Sequence, residues 1–141
     1  MREIRLTVDT VPVAQPRQRV GVIAGHAHNY TPAKHPVNAY KAAVQVAARE
    51  AGLPQPLLDG PLVVAMTFYL PRPKRLMRKK DPNGPIPHSA KPDRDNLEKS
   101  TCDALNGLVW RDDSQVYKGV VAKFYHEKNG HPRVEMVIEE M

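Results

Sequence analysis

Two pairs of aspartates are the groups in this sequence whose type and spacing could do chemistry. Asp93 and Asp95 lie in KPDRDNLEKS, where an apolar pattern of helical spacing begins, and Asp112 and Asp113 follow the end of that pattern. Carboxylates brought together repel one another and become partly neutralised unless a cation lies among them. Because hard oxygen ligands without histidine or cysteine suit Mg²⁺ or Mn²⁺, the pattern predicts a metal site. The alternative is that the acids only cap a helix and carry surface charge.

The spacing of the chain allows the two aspartate pairs to meet. A helix over 95–106 is about 18 Å long at ~1.5 Å per residue. Residues 108–113, if nearly extended, cover about 20 Å at ~3.3 Å each. The chain can therefore leave the helix end, run back beside it and return Asp112 and Asp113 to the helix start.

Two further residues of the predicted helix could assist a phosphate reaction. Lys99 lies four residues after Asp95 and hence one turn along the same face. It could contact a phosphate oxygen, or it could form an ordinary surface ion pair. Asn96 could hydrogen-bond a carboxylate or a metal-bound water, or serve as a cap residue. In a basic chain a divalent ion suggests phosphodiester hydrolysis, because the metal lowers the pKa of bound water and offsets charge on the phosphate.

Other chemistries find little support in the sequence. The stretch DRDNLEKSTCDA lacks the glycine and the final glutamate of an EF-hand. There is no G-x-S-x-G motif, P-loop or Rossmann glycine pattern. A zinc site built from His26, His28 and His35 is disfavoured, because GHAHNY is typical of a loop and no acid lies near it.

Composition favours a single folded domain that binds a polyanion. The 141 residues suit one domain over 1–141, and the hydrophobic content of 41% suffices for a modest core. Lys and Arg number 21 against 15 Asp and Glu, which gives a formal charge of +6 and favours nucleic acid as partner. A single cysteine, Cys102, excludes an internal disulfide and agrees with a cytoplasmic protein. No apolar block predicts a signal peptide or a membrane partner.

The first half of the chain alternates regular and irregular segments. Polar and apolar residues alternate over 3–9, which predicts a half-buried strand. A Pro- and Gly-rich segment follows, which predicts a loop or an irregular hairpin and carries Arg17 and Arg19. Apolar residues at helical spacing predict a helix over 38–51, with Asn38 as its N-cap. The apolar run PLVVAMTFYLP predicts a central strand that is covered on both faces.

The second half begins with a long basic segment. Residues 71–92 contain six prolines and seven Lys or Arg without periodicity, so we expect a mobile loop that orders on a partner. The predicted helix after Asp95 ends at Gly107, and a strand over about 115–126 follows. The Asn-Gly turn in KNGH then predicts an antiparallel hairpin with a last strand. The order of elements predicts an α+β domain with a mixed sheet, a C-terminal antiparallel hairpin and two packed helices.

At the acidic residues the chain resembles the RusA family of Holliday junction resolvases, which are small endonucleases of bacteria and their phages. The segments that carry the resemblance are KPDRDNLEKSTCDALNGLVWRDDSQV at 91–116, PVAQPRQRV and YTP near the N-terminus, FYLPRPK at 68–74 and the C-terminal hairpin. The first of these is specific, because D-x-D-N-L-x-K, D-A-L-N-G and W-x-D-D-S-Q-V follow one another in order.

The resemblance implies an enzyme of DNA recombination and repair. Such an enzyme works as a homodimer that cuts symmetric strands of a four-way junction with Mg²⁺ or Mn²⁺, and it needs no small-molecule cofactor. The family's essential aspartates match Asp93, Asp95 and Asp113, with Asp112 contributing to the acidic cluster, and its important lysine matches Lys99. Candidate phosphate contacts are Arg17, Arg19, Arg72, Lys74, Arg75, Arg78, Lys79 and Lys80.

The sequence leaves several matters open. A less selective nuclease that acts on flaps, forks or RNA, and a non-catalytic junction- or DNA-binding protein, are the competing functions. A structural homodimer with an incidental basic face is a third. Residues 116–124 and the helix over 38–51 are alternative dimer surfaces.

Overall fold

A computed structural model describes residues 2–141, apart from the side chain of Arg19. The chain forms seven strands and two helices in this part, together with two short 3-10 turns over Lys74–Leu76 and Asp113–Gln115. The strands are β1 (Arg2–Val8), β2 (Arg19–Ile23), β3 (His26–Tyr30), β4 (Leu62–Leu70), β5 (Ile86–Pro87), β6 (Val116–Tyr125) and β7 (Arg133–Glu140). The helices are α1 (Pro36–Ala51) and α2 (Arg94–Leu105).

Five of the strands form a mixed sheet in the order β1-β7-β4-β6-β5. β4 pairs antiparallel with β7 and parallel with β6, and α2 lies in the crossover between the two parallel strands. β2 and β3 form a separate antiparallel ribbon. The predicted α+β class, with a mixed sheet and two helices, is confirmed.

The predicted C-terminal hairpin is wrong in its pairing. A turn does occur at KNGH, where the Gly130 N–H donates to the Glu127 carbonyl at 2.9 Å. The two strands that it joins do not pair, because β4 lies between β6 and β7 in the sheet. An Asn-Gly pair fixes a local turn, whereas the neighbours of a strand depend on the packing of the whole sheet.

The core lies on one face of the sheet. The side chains of β4 alternate between buried and half-buried along the strand, and the buried ones are Leu62, Val64, Met66, Phe68 and Leu70. They pack with residues of both helices in one cluster. Both helices lie on the same side, so within this chain they cover one face of β4, and the predicted cover on its other face stays a prediction. We call the opposite side the open face.

Helix α1 begins earlier than predicted. Pro36 occupies the first turn, where its fixed φ suits a helix. His35 is the N-cap, and its Nδ1 accepts a hydrogen bond from the Val37 N–H at 3.0 Å. Asn38 instead donates to main-chain carbonyls of the preceding loop. Neither this helix nor any other in residues 2–141 is long and apolar enough to cross a membrane.

Residues 71–92 are held by a buried arginine instead of by apolar side chains. Arg72 is 8% exposed. Its guanidinium donates hydrogen bonds to the main-chain carbonyls of Leu76, Pro82, Gly84 and His126. The segment also contains a 3-10 turn and the short strand β5, which pairs with β6. The mobility of this segment stays a prediction, but its contacts include a polar anchor that apolar periodicity does not reveal.

Candidate active site

The first aspartate of the motif is the N-cap of α2, but its carboxylate does not cap the helix. Asp93 has an extended backbone, and its carbonyl accepts the first helical hydrogen bond from the Leu97 N–H. The Lys91 ammonium donates to both carboxylate oxygens of Asp93, at 2.8 and 2.9 Å. This contact holds the pKa of the Asp93 carboxyl below its usual value. Asp93 is thus an ionised group paired with a lysine.

The second aspartate pair is positioned by a capped 3-10 turn. The Asp112 carboxylate accepts a hydrogen bond from the Ser114 N–H at 3.0 Å, which lowers the pKa of Asp112. The Gln115 side-chain carbonyl accepts from the Asp112 N–H, while its amide donates to the carbonyls of Leu58 and Gly60. The turn is therefore fastened to the segment before β4. This anchoring fixes where Asp113, the first residue of the turn, stands.

One cleft of about 270 Å³ brings together three of the predicted residues. Asp95 and Lys99 line it from α2, and Asp113 lines it from the 3-10 turn. Asp93 and Asp112 are not among the residues that line the cleft. The segment lengths predicted that the chain returns to the helix start, and this return brings Asp113 into the cleft. The carboxylate of Asp112 instead caps the 3-10 turn.

The cleft also contains two residues that the sequence analysis did not single out. Glu98 and Cys102 follow Asp95 by three and seven residues, so the spacing of one helix face could have revealed them. Cys102 is buried, and burial together with the nearby charges of Glu98 and Asp113 raises the pKa of its thiol to about 12. The thiol is therefore protonated and is a wall of the cleft, not a nucleophile.

The acidic groups do not form a closed metal site in this structure. Within residues 2–141, no three acidic, histidine or cysteine side chains stand close enough together to hold an ion. The predicted cluster of four aspartates is therefore not assembled, because Asp93 is bound to Lys91 and Asp112 is used as a cap. The donors that do line the cleft, Asp95, Glu98 and Asp113, are carboxylates. Their chemistry fits a hard divalent cation such as Mg²⁺.

A second cleft of about 470 Å³ lies on the other side of Lys99. Its lining residues come from α2 and from the loop before β2, namely Gln15, Pro16, Arg17, Gln18, Asn96, Lys99 and Asp103. The loop is tied to the helix, since the Gln15 N–H donates to the Asn96 carbonyl at 2.9 Å and the Ser100 hydroxyl donates to the Val13 carbonyl. Lys99 lines both clefts, so the second cleft adjoins the one that contains the carboxylates.

The predicted phosphate contacts have different surroundings. Arg17 is exposed in the second cleft, and the predicted contacts that are exposed in the 71–92 segment are Lys74, Arg75, Arg78, Lys79 and Lys80. The side chain of Arg19 lies outside the described part of the chain. Arg72 is buried, and its donors are used by carbonyl groups. Because the guanidinium is buried and makes four hydrogen bonds to main-chain carbonyls, we remove Arg72 from the candidate DNA contacts.

The sequence matches the endodeoxyribonuclease RusA family over residues 9–139. It is also 37% identical to the uncharacterized protein YqaN of Bacillus subtilis (strain 168), in an alignment that covers 98% of this chain and 96% of the relative. The chain therefore belongs to the RusA family of endodeoxyribonucleases, a family of nucleases that depend on divalent metals and act on branched DNA.

Proposed function

We propose that the protein is a Mg²⁺-dependent endonuclease that resolves four-way DNA junctions by paired, symmetric cuts in DNA recombination and repair. The observation that carries the proposal is the meeting of Asp95, Lys99 and Asp113 in one cleft of a RusA-family chain. Two carboxylates and a lysine at one point are the groups that phosphodiester hydrolysis needs.

Asp95 and Asp113 are the residues that would hold the metal, with Glu98 beside them in the cleft. A bound Mg²⁺ would lower the pKa of a water and offset charge on the phosphate. Lys99 stands on the same wall, where its ammonium can contact a phosphate oxygen. Asp93 is held by Lys91 in the free protein. A DNA phosphate competes for the ammonium of Lys91, and we expect this competition to release Asp93 toward the cleft.

The proposed enzyme is a homodimer that pairs through the open face of the sheet. Val120 on β6 is 59% exposed and lies beside Ala65 of β4 on that face. Lys118 of β6 and Glu139 of β7 flank Val63 from opposite sides. A two-fold axis along β4 would set β6 of one copy over β7 of the other, so that apolar groups meet and opposite charges face each other.

The test is cleavage of a synthetic four-way junction labelled on each strand in turn. With Mg²⁺ we expect symmetric nicks in two opposing strands, no cutting of linear duplex and no cutting in EDTA. Asp95→Asn keeps the shape of the side chain but removes its charge, so we expect a loss of at least about 100-fold in cleavage rate.

Three results would contradict the proposal. Equal cutting of forks, flaps and four-way junctions would identify a less selective nuclease. Binding to junctions without cutting in any divalent metal would identify a non-catalytic junction-binding protein. Undiminished cutting by Asp95→Asn would show that the cleft is not the active site.

A further inference from the structure

A buried histidine outside the candidate active site lies close to the start of α2. His88 is 9% exposed, and its ring centroid stands 4.5 Å from that of Tyr125. Its backbone N–H donates to the Lys123 carbonyl at 3.1 Å. Its Nδ1 is buried and has no hydrogen-bond partner in the part of the chain that the structure describes. Since nearly all buried polar atoms are hydrogen-bonded, an unpaired one needs an explanation.

His88 lines a groove of about 420 Å³, which lies within the usual range of ~300–1,000 Å³ for small-ligand sites. The walls are apolar, aromatic and rich in proline, and include Leu70, Pro71, Pro73, Pro92 and Tyr125. Arg75 and Lys91 also line the groove, and both are exposed. Because proline fixes its own φ, these walls are stiff. The groove is a preformed apolar slot with cations at its edge.

The groove lies beside the carboxylate of Asp93 at the start of α2. Lys91 lines the groove and contacts the carboxylate of Asp93 at 2.8 Å. The Lys123 ammonium donates to the carbonyls of Ala90 and Pro92, which ties the segment between the groove and α2 to β6. A DNA strand whose phosphate reaches Lys91 therefore passes the mouth of the groove.

We infer that the groove binds one unstacked nucleobase of the DNA beside the cleavage site. A base has flat apolar faces and a polar edge. The apolar walls and the ring of Tyr125 suit the faces, and the imidazole of His88 offers a ring nitrogen to the edge. The cations Arg75 and Lys91 suit the phosphates on either side. The inference rests on the proposed function, since it presupposes DNA in the cleft.

The inference gives a physical reason for selectivity toward branched DNA. Removing a base from a continuous duplex requires unstacking and unpairing, and this cost is smallest where the base is already unpaired. Bases at a branch point are the least constrained, so a groove for one extruded base favours junctions over linear duplex. The groove would then act before the chemical step and independently of the carboxylates.

The test compares two substitutions with tryptophan at neighbouring exposed residues. Ala90 lines the groove, so Ala90→Trp fills it without deleting a side-chain contact; Ser89 does not line it, and Ser89→Trp is the matched control. Binding to a four-way junction and to linear duplex is measured in EDTA, where no strand is cut. We expect Ala90→Trp to weaken junction binding about tenfold and to leave duplex binding unchanged. Ser89→Trp should leave both junction binding and duplex binding unchanged.

A junction with abasic residues at the branch point provides a second readout. The parent protein should lose about tenfold in affinity for this junction, whereas Ala90→Trp should bind both junctions equally. His88→Leu, which keeps the bulk but removes the ring nitrogens, should lose part of the preference for bases. Equal junction binding by Ala90→Trp and the parent would overturn the inference.

The outcomes separate this inference from the proposed function. If the protein cuts junctions normally, and neither Ala90→Trp nor abasic residues change binding, the groove has no role in DNA binding and the proposed nuclease function is still supported. If the base dependence is found but no metal supports cutting, the groove stands and the proposed function fails.

Discussion

Asp112 and Asp113 are adjacent residues with different roles in this structure. Asp112 directs its carboxylate at the Ser114 N–H and closes the 3-10 turn. Asp113 follows it and lines the cleft with Asp95. Because the turn is anchored by Gln115, the two side chains cannot exchange places without breaking the hydrogen bonds to the Leu58 carbonyl and its neighbours.

We expect substitutions of these two aspartates to have unequal effects. Asp113→Asn should reduce junction cleavage at least about 100-fold, because it removes a charged oxygen ligand. Asp112→Asn keeps an oxygen that can cap the turn, so its cleavage rate should stay within a few-fold of the parent. Cleavage rates and melting temperatures of the two variants are the measurement. Equal losses would show that Asp112 also binds the metal.

The sequence predicted several of the residues that line the cleft, but it did not predict which aspartates would be used in other contacts. The D-x-D-N-L-x-K spacing placed Asp95 and Lys99 on one helix face, and the segment lengths allowed Asp113 to return to them. The pairing of Asp93 with Lys91 was not predictable, since it depends on side-chain directions at the helix start. His88 carried no sequence signal, because its role arises from the prolines and the strand around it.

At the scale of elements, the conformation of residues 71–92 depends on hydrogen bonds from Arg72. Its guanidinium donates hydrogen bonds to four main-chain carbonyl groups, three of them within the segment. We expect Arg72→Ala to lower the free energy of unfolding by about 2–4 kcal/mol, since a hydrogen bond to a charged group contributes a net ~1.5–3 kcal/mol and water replaces part of the lost bonds. Thermal unfolding measures the change. Arg72→Lys should recover little, because lysine lacks the planar fork.

Lys74 supplies the control for this prediction. It is exposed in the same segment. Lys74→Ala should leave the melting temperature within about 1 °C, as for most surface substitutions, and weaken DNA binding in a salt-dependent way. Rapid amide exchange throughout 73–90 in the parent, with no loss of stability in Arg72→Ala, would instead support the mobile loop predicted from composition.

The pairing of the strands shows the limit of sequence patterns for this fold. Alternation and apolar runs located β1, β4, β6 and β7 close to their observed bounds. The neighbours of each strand were not predictable from the same patterns. β4 pairs with both β6 and β7, because the crossover through α2 delivers β6 to one edge of β4 and the KNGH turn carries β7 to the other. The residues of the KNGH turn cannot show that another strand, β4, lies between the two strands that the turn connects.

At the scale of the whole molecule, the open face is the candidate dimer surface. We expect Val120→Glu to weaken self-association at least about 100-fold, because it would bury an unpaired carboxylate between two copies. Sedimentation velocity measures the association. On a cruciform plasmid, the variant should produce nicked circles in place of the linear molecules that paired cuts give.

Helix α1 offers the matched control for the dimer surface. Val46 is 50% exposed on α1, and Val46→Glu places the same charge on the other surface that the sequence allowed. This variant should associate as the parent does. If Val46→Glu produces monomers and Val120→Glu does not, the dimer forms through α1 and the proposed open-face dimer is wrong.

The position of β7 between β1 and β4 has a consequence for how the protein is made. Arg2 of β1 pairs with Glu140 of β7. β1 leaves the ribosome before the other strands of this sheet, but it cannot pair until β7 has been synthesised. Until residues 133–140 emerge, β1 has no neighbour and β4 presents one unpaired apolar edge, which is a template for association between nascent chains. Folding of the sheet is therefore completed only after nearly the whole domain has been synthesised, and chaperones that shield strand edges have their longest period of contact with β1.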